Sequence, residues 1–177
     1  AGLTIDGGTD PAPPVDNYEQ SFTILNQLAY VLYTNDDHTI FVQADAPLFG
    51  IGNIQAHYGR ASETIARTLG FPVLHHPDVY IVREAEMSRY ATERGLPSPI
   101  FTAGLRSEDG IFVGPTSFSD ATIAAVLTHE LAHDTIDPLG ALSVWLNEGF
   151  AEYAGLTASA AVAGSTISEF LRDRLRT

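Results

Sequence analysis

The chain has 177 residues, 45% of them apolar and 18% charged, which are the proportions of a globular domain able to bury a core rather than of a disordered chain. Its formal net charge of −13 argues against a nucleic-acid partner, because an acidic surface repels phosphate backbones. There is no cysteine, so disulfides and thiolate sites are excluded, and any metal must be held by histidines and carboxylates.

Residues 1–17, rich in Gly, Pro and Asp, read as a flexible arm or linker remnant, leaving 18–177 as one domain. Residues 18–33 space Phe22, Leu25, Leu28, Ala29 and Leu32 as an amphipathic helix would, and Thr34 to Asp37 then breaks the pattern. Branched and aromatic residues predict strands over 39–44 and 79–82, separated by a helix over 54–69 that Gly70 and Pro72 close. Residues 100–103 and 111–113 form a predicted hairpin around the polar turn 107–110. Ser119 or Asp120 caps the next predicted helix, which runs through Ile136 to a break at 137–140. Helix resumes over 143–156 and again over 165–175. The expected class is α+β, a sheet-bearing first half followed by a helical second half.

His129-Glu130-Leu131-Ala132-His133 is an HExxH motif inside the 120–136 helix. Residues i and i+4 share a helical face, so both imidazoles can reach one cation, while Glu130 points to a neighbouring edge and can take a proton from water. Five positions alone recur by chance. However, Ile123, Val126 and Leu127 bury the preceding turns, and a polar motif on such a helix needs partners that a metal supplies. A third ligand is then required, since catalytic zinc takes three protein ligands and leaves a position for water.

After fourteen further residues comes Glu148, within Trp145-Leu146-Asn147-Glu148-Gly149-Phe150-Ala151-Glu152-Tyr153. HELAH followed by WLNEGFAEY resembles the gluzincin metallopeptidases, the second block being similar to the third-ligand helix of M1 aminopeptidases and other peptidase MA-like domains. The resemblance covers about 25 residues and implies a zincin-like fold, Zn(2+) held by His129, His133 and Glu148, and Glu130 as general base. Glu152, one helical turn past Glu148, is expected to orient His129 or His133, with Asn147 placed beside it in the layer around the ligands. Asp134 is expected to be exposed, Trp145 and Phe150 to pack in the core, and Gly149 to let two helices approach. The resemblance also implies an edge strand, assigned to Ile111, Phe112 and Val113, along which an extended peptide or protein substrate lies.

The chain departs from the larger gluzincins in one respect. These place a Tyr or His well downstream of the third ligand to stabilise the oxyanion, and the 24 residues after Tyr153 contain neither. Tyr80, Tyr90, His75 and His76 are the upstream candidates, while His38 after Asn35-Asp36-Asp37 reads as turn chemistry. No GxMEN-type amine-binding motif is present, so the expected activity is that of an endopeptidase. The alternative is a zinc-binding module without turnover. The short, interrupted apolar runs argue against an intramembrane protease. A start at Ala1 suggests a processed form, expected in a secreted or cell-envelope setting and taken as a monomer.

Overall fold

A computed structural model describes residues 19–25, 28–44, 51–93, 104–114, 119–140 and 142–174. The expected N-terminal arm, 1–17, and the first predicted hairpin segment, 100–103, lie outside these. Among the described residues six strands form one sheet: β1 (Glu19–Leu25), β2 (Leu28–Thr34), β3 (Thr39–Gln43), β4 (Val79–Ile81), β5 (Gly104–Ser107) and β6 (Gly110–Val113), in spatial order β1-β2-β3-β4-β6-β5. β3, β4 and β6 run parallel, while β1 and β2 extend one side antiparallel and β5 closes the other. Five helices accompany them: α1 (Ile51–Leu69), α2 (Glu84–Glu93), α3 (Asp120–Ile136), α4 (Val144–Val162) and α5 (Ile167–Arg174). The α+β expectation holds. No helix among the described residues is long and apolar enough to cross a membrane.

Alternation along the central strands explains the layering. Ile40, Val42, Val79, Ile81, Ile111 and Val113 face one side and join Ile54, Tyr58 and Ile65 of α1 with Ile123, Leu127, Leu131 and Ile136 of α3 in the main core. Phe41, Tyr80 and Phe112 face the other side and stack across the strands, with ring centroids 4.5 and 4.8 Å apart, beneath Met87 of α2. Burial on both faces accounts for the continuous apolar runs in β3, β4 and β6.

Two expectations are corrected, and one helix is added. Residues 18–33 are not a helix: the described part forms a hairpin of β1 and β2, with Leu25 opposite Leu28. The Leu and Phe spacing fits either period, but Thr23, Ile24, Tyr30, Val31 and Tyr33 favour a pleated surface, and Leu28, Tyr30 and Leu32 alternate onto the aromatic face. The turn to β6 is also not at an edge, because β6 pairs with β4 on one side and β5 on the other. Helix α2 had no predicted counterpart, since only Met87 and Ala91 of its ten residues are buried.

α3 packs on both α1 and α4. Its contact with α4 depends on Gly155, where a Cβ would stand 2.8 Å from the Ala125 carbonyl oxygen and 3.3 Å from His129 Cβ. Gly149, expected to serve that purpose, has open space around it. Gly155→Val is therefore expected to destabilise the fold by about 1–3 kcal/mol through overpacking. Gly149→Ala should be neutral or stabilising by up to about 1 kcal/mol. Urea midpoints of the two variants measure the contrast.

Asn35 Oδ1 accepts from the backbone N–H groups of Asp37 and His38, both at 2.9 Å, so this loop is turn chemistry as expected. The His38 ring is buried against Tyr58, and burial, reinforced by nearby His76, pulls its pKa down to about 4. A depressed histidine stabilises the fold above its ordinary pKa of about 6.5, and that contribution is lost as pH falls towards 4. Between those values the parent should lose about 3 kcal/mol more than His38→Gln, read from urea titrations at each pH.

Candidate metal centre

α3 begins where the Ser119 side chain accepts from Thr122 N–H, and it carries His129 and His133 on successive turns of one face. Pro138 and Gly140, the latter at φ 122°, then redirect the chain through a short 3-10 turn into α4. The α4 helix crosses back over α3 at Gly155, and this brings Glu148 onto the histidine face. His129 Nε2 and His133 Nε2 stand 3.1 Å apart, with Glu148 Oε2 3.6 Å from the first and Oε1 3.7 Å from the second. These three residues form a group that could hold a metal ion.

The partners of the opposite ring nitrogens bear on which tautomer each imidazole takes. His133 Nδ1 lies 2.9 Å from Asn147 Oδ1, and His129 Nδ1 lies 3.5 Å from a Glu152 carboxylate oxygen. Both partners are acceptors, so each Nδ1 keeps the proton and each Nε2 presents a lone pair. Two lone pairs and a carboxylate then converge on one point, a repulsive arrangement unless a cation or proton sits among them. Burial, with His133 beside it, lowers the His129 pKa and favours the neutral, ligating form, while Glu148 and Glu152 oppose the shift. Donor set and tautomers thus fit a divalent cation. Glu152 thus lies beside His129, and Asn147 beside His133.

Glu130 is not one of the three converging groups and is only 9% exposed. Burial pushes its carboxyl up to about 7, against the pull of an N–H donated by the Arg106 backbone and the Arg106 charge, while Glu148 adds to the rise. A divalent ion at the neighbouring ligands would pull it back down. The carboxyl lies under β5, where a Cβ at Gly104 would come within 3.0 Å of Glu130 Oε1 and 2.5 Å of Val126 Cγ1. Gly104 and Arg106 are site residues that the sequence reading missed. The signal was a glycine opening a strand, which marks a close approach.

Several expected residues stand elsewhere. Among the described residues the outer strand beside Glu130 is β5, and Ile111, Phe112 and Val113 are already paired on both sides, so they cannot receive a substrate strand. Tyr80 and Tyr90 belong to the aromatic face, Tyr90 lying 4.3 Å from the Phe112 ring, and the sheet separates them from α3. His76 Nε2 contacts Ser62 Oγ at 3.1 Å and His75 Nδ1 contacts Asp134 at 3.0 Å. Asp134, expected to be exposed, has only 15% of its side chain accessible because Arg106 and His75 cover it. Trp145 and Phe150, expected in the core, are exposed at 72% and 42%, since this end of α4 has no neighbour on its outer face among the described residues.

Comparison of the chain with protein-family models and with curated protein sequences finds no match. The centre is therefore read from its own geometry. Losing Asn147 Oδ1 should free the His133 ring to rotate and to shift its proton. Asn147→Ala is expected to weaken divalent-cation affinity about 10- to 100-fold, measured with Zn2+ or Co2+ against a competing chelator.

Proposed function

We propose that this chain is a zinc-dependent metalloendopeptidase domain of zincin-like fold. The observation that carries this reading is the pairing of three converging ligands, His129, His133 and Glu148, with a buried carboxyl on Glu130, one residue from a ligand yet outside the ligand set. For tetrahedral zinc with bonds of about 2.0–2.1 Å, ligand atoms lie about 3.3 Å apart. The separations of 3.1, 3.6 and 3.7 Å bracket that value. Two imidazoles and a carboxylate, with no thiolate, suit a catalytic centre that keeps a position open. A binding module has no use for a carboxyl held at the cost of burial beside such a centre, and this favours an enzyme.

When bound, the zinc ion supplies Lewis acidity, which acidifies water and polarises a carbonyl. The chain's own groups do the rest. Glu130 accepts a proton from the attacking water and returns it to the leaving amine, so one carboxyl serves as base and then acid. The N–H donated by Arg106 fixes this carboxyl beneath β5. Gly104 leaves room for it. The free edge of β5 can hold an extended peptide through main-chain hydrogen bonds, which select for an unfolded segment more than for a sequence. Glu152 and Asn147 hold the imidazoles in the ligating tautomer.

Glu130→Gln separates this reading from a zinc-binding module without turnover. The purified protein is expected to bind one zinc per chain and to cleave members of a mixed peptide library. The variant should keep the zinc and lose about 10²- to 10⁴-fold in rate. Stoichiometric zinc with no Glu130-dependent cleavage would leave the binding module as the answer, and a folded protein that takes up no zinc would sink both readings.

A further inference from the structure

We propose that Asp137 and Arg106 are positioning residues that fix which nitrogen of His133 carries the proton, and so aim the other nitrogen at the metal. The proposal rests on the metal centre described above and concerns two residues that do not touch it. A ring that binds a cation through Nε2 must keep its proton on Nδ1. Asn147 Oδ1, 2.9 Å from His133 Nδ1, imposes that state only if the amide shows its oxygen to the ring. An amide is a donor at one end and an acceptor at the other, and nothing within it selects the end.

Asp137 makes the selection. It lies in the turn after α3, and its Oδ1 is 2.7 Å from Asn147 Nδ2. A carboxylate only accepts, so it claims the NH2 end of Asn147 and leaves the carbonyl for His133. On its own, an exposed carboxylate in a turn would rotate into water. The Arg106 guanidinium, reaching across from β5, grips Asp137 Oδ2 with one terminal nitrogen. Its Nε and its other terminal nitrogen each lie 3.2 Å from Asp134 Oδ1. The planar guanidinium fork thus holds two carboxylates at a fixed spacing, which the single charge of a lysine does less well. Asp134 is held in turn by His75 Nδ1 at 3.0 Å.

The polarity runs in one direction, from Arg106 through Asp137 and Asn147 to His133. The same Arg106 stands close to Glu130, so a single residue of β5 borders the buried carboxyl and reaches a ligand through its side chain. His129 is oriented separately, by Glu152, and serves as an internal control.

The test reads the ring-nitrogen shifts of His133 and His129 by nitrogen-15 NMR in the metal-free protein at neutral pH, together with zinc affinity by chelator competition. The parent should show His133 protonated on Nδ1. Asp137→Asn should give a mixture of tautomers at His133 with His129 unchanged, and about 10-fold weaker zinc binding. Arg106→Met should shift His133 the same way, and Arg106→Lys should recover part of the loss. In an Asn147→Ala background, Asp137→Asn should have no further effect. The proposal is overturned if Asp137→Asn leaves His133 in the parental tautomer, or if its loss simply adds to that of Asn147→Ala. Should Asp137→Asn not fold, the two Arg106 variants decide by the same signals, an unchanged His133 in Arg106→Met counting against it. A parent that binds no zinc defeats the metal reading, and the tautomer signals then still decide the relay.

Discussion

Two helices must come close enough for a carboxylate on one to reach between two imidazoles on the other, and the rest of the centre depends on that contact. Gly155 sets the distance, because any side chain there would meet the Ala125 carbonyl and the base of His129. With the separation fixed, Glu148 falls opposite the two Nε2 atoms, and Asn147 and Glu152 of the same helix fall opposite the two Nδ1 atoms. One helix therefore supplies the third ligand and the tautomer control of the other two. A shift of about 1 Å between the helices would disturb every one of these distances together, so the packing of small residues along α4 bears directly on metal affinity.

The sheet has a different task. Its central strands are buried on both faces, which makes a stiff platform, and the helix bearing the motif lies across one face of it. At the free edge, β5 comes over α3 closely enough that a glycine is needed above Glu130. The carboxyl is thereby desolvated by the last strand of the sheet among the described residues. Arg106 links the strand through Asp137 to the far side of the metal ligands.

The convergence of His129, His133 and Glu148 was legible in the sequence because its geometry is local. A spacing of four on a helix places two histidines on one face whatever surrounds them, and Glu148, Asn147 and Glu152 follow within one further helix. Helices α1, α3, α4 and α5, the α+β class and the strands predicted over 39–44 and 79–82 could also be read. What escaped depended on long-range pairing. Which strand forms the edge is decided by β4 inserting beside β6, and nothing within 100–113 reveals that. The β1–β2 hairpin was hidden because its leucines fit a helical period as well as a strand. The burial of Asp134 comes from Arg106, 28 positions away, and from His75, 59 positions away. Trp145 and Phe150 were assigned to the core on residue type alone, yet α4 turns them outward.

The exposure of the ligands follows a gradient with a consequence for binding. His133 and His129 are 14% and 22% accessible in their side chains, held by packing and by fixed partners, whereas Glu148 is 58% accessible. Most of the ordering entropy of a three-ligand site is thus met by folding for the imidazoles, and only the carboxylate remains to be ordered when a cation arrives. Gly104 lies close over Val126 and Glu130, so that part of the centre is covered, whereas the Glu148 carboxylate faces solvent.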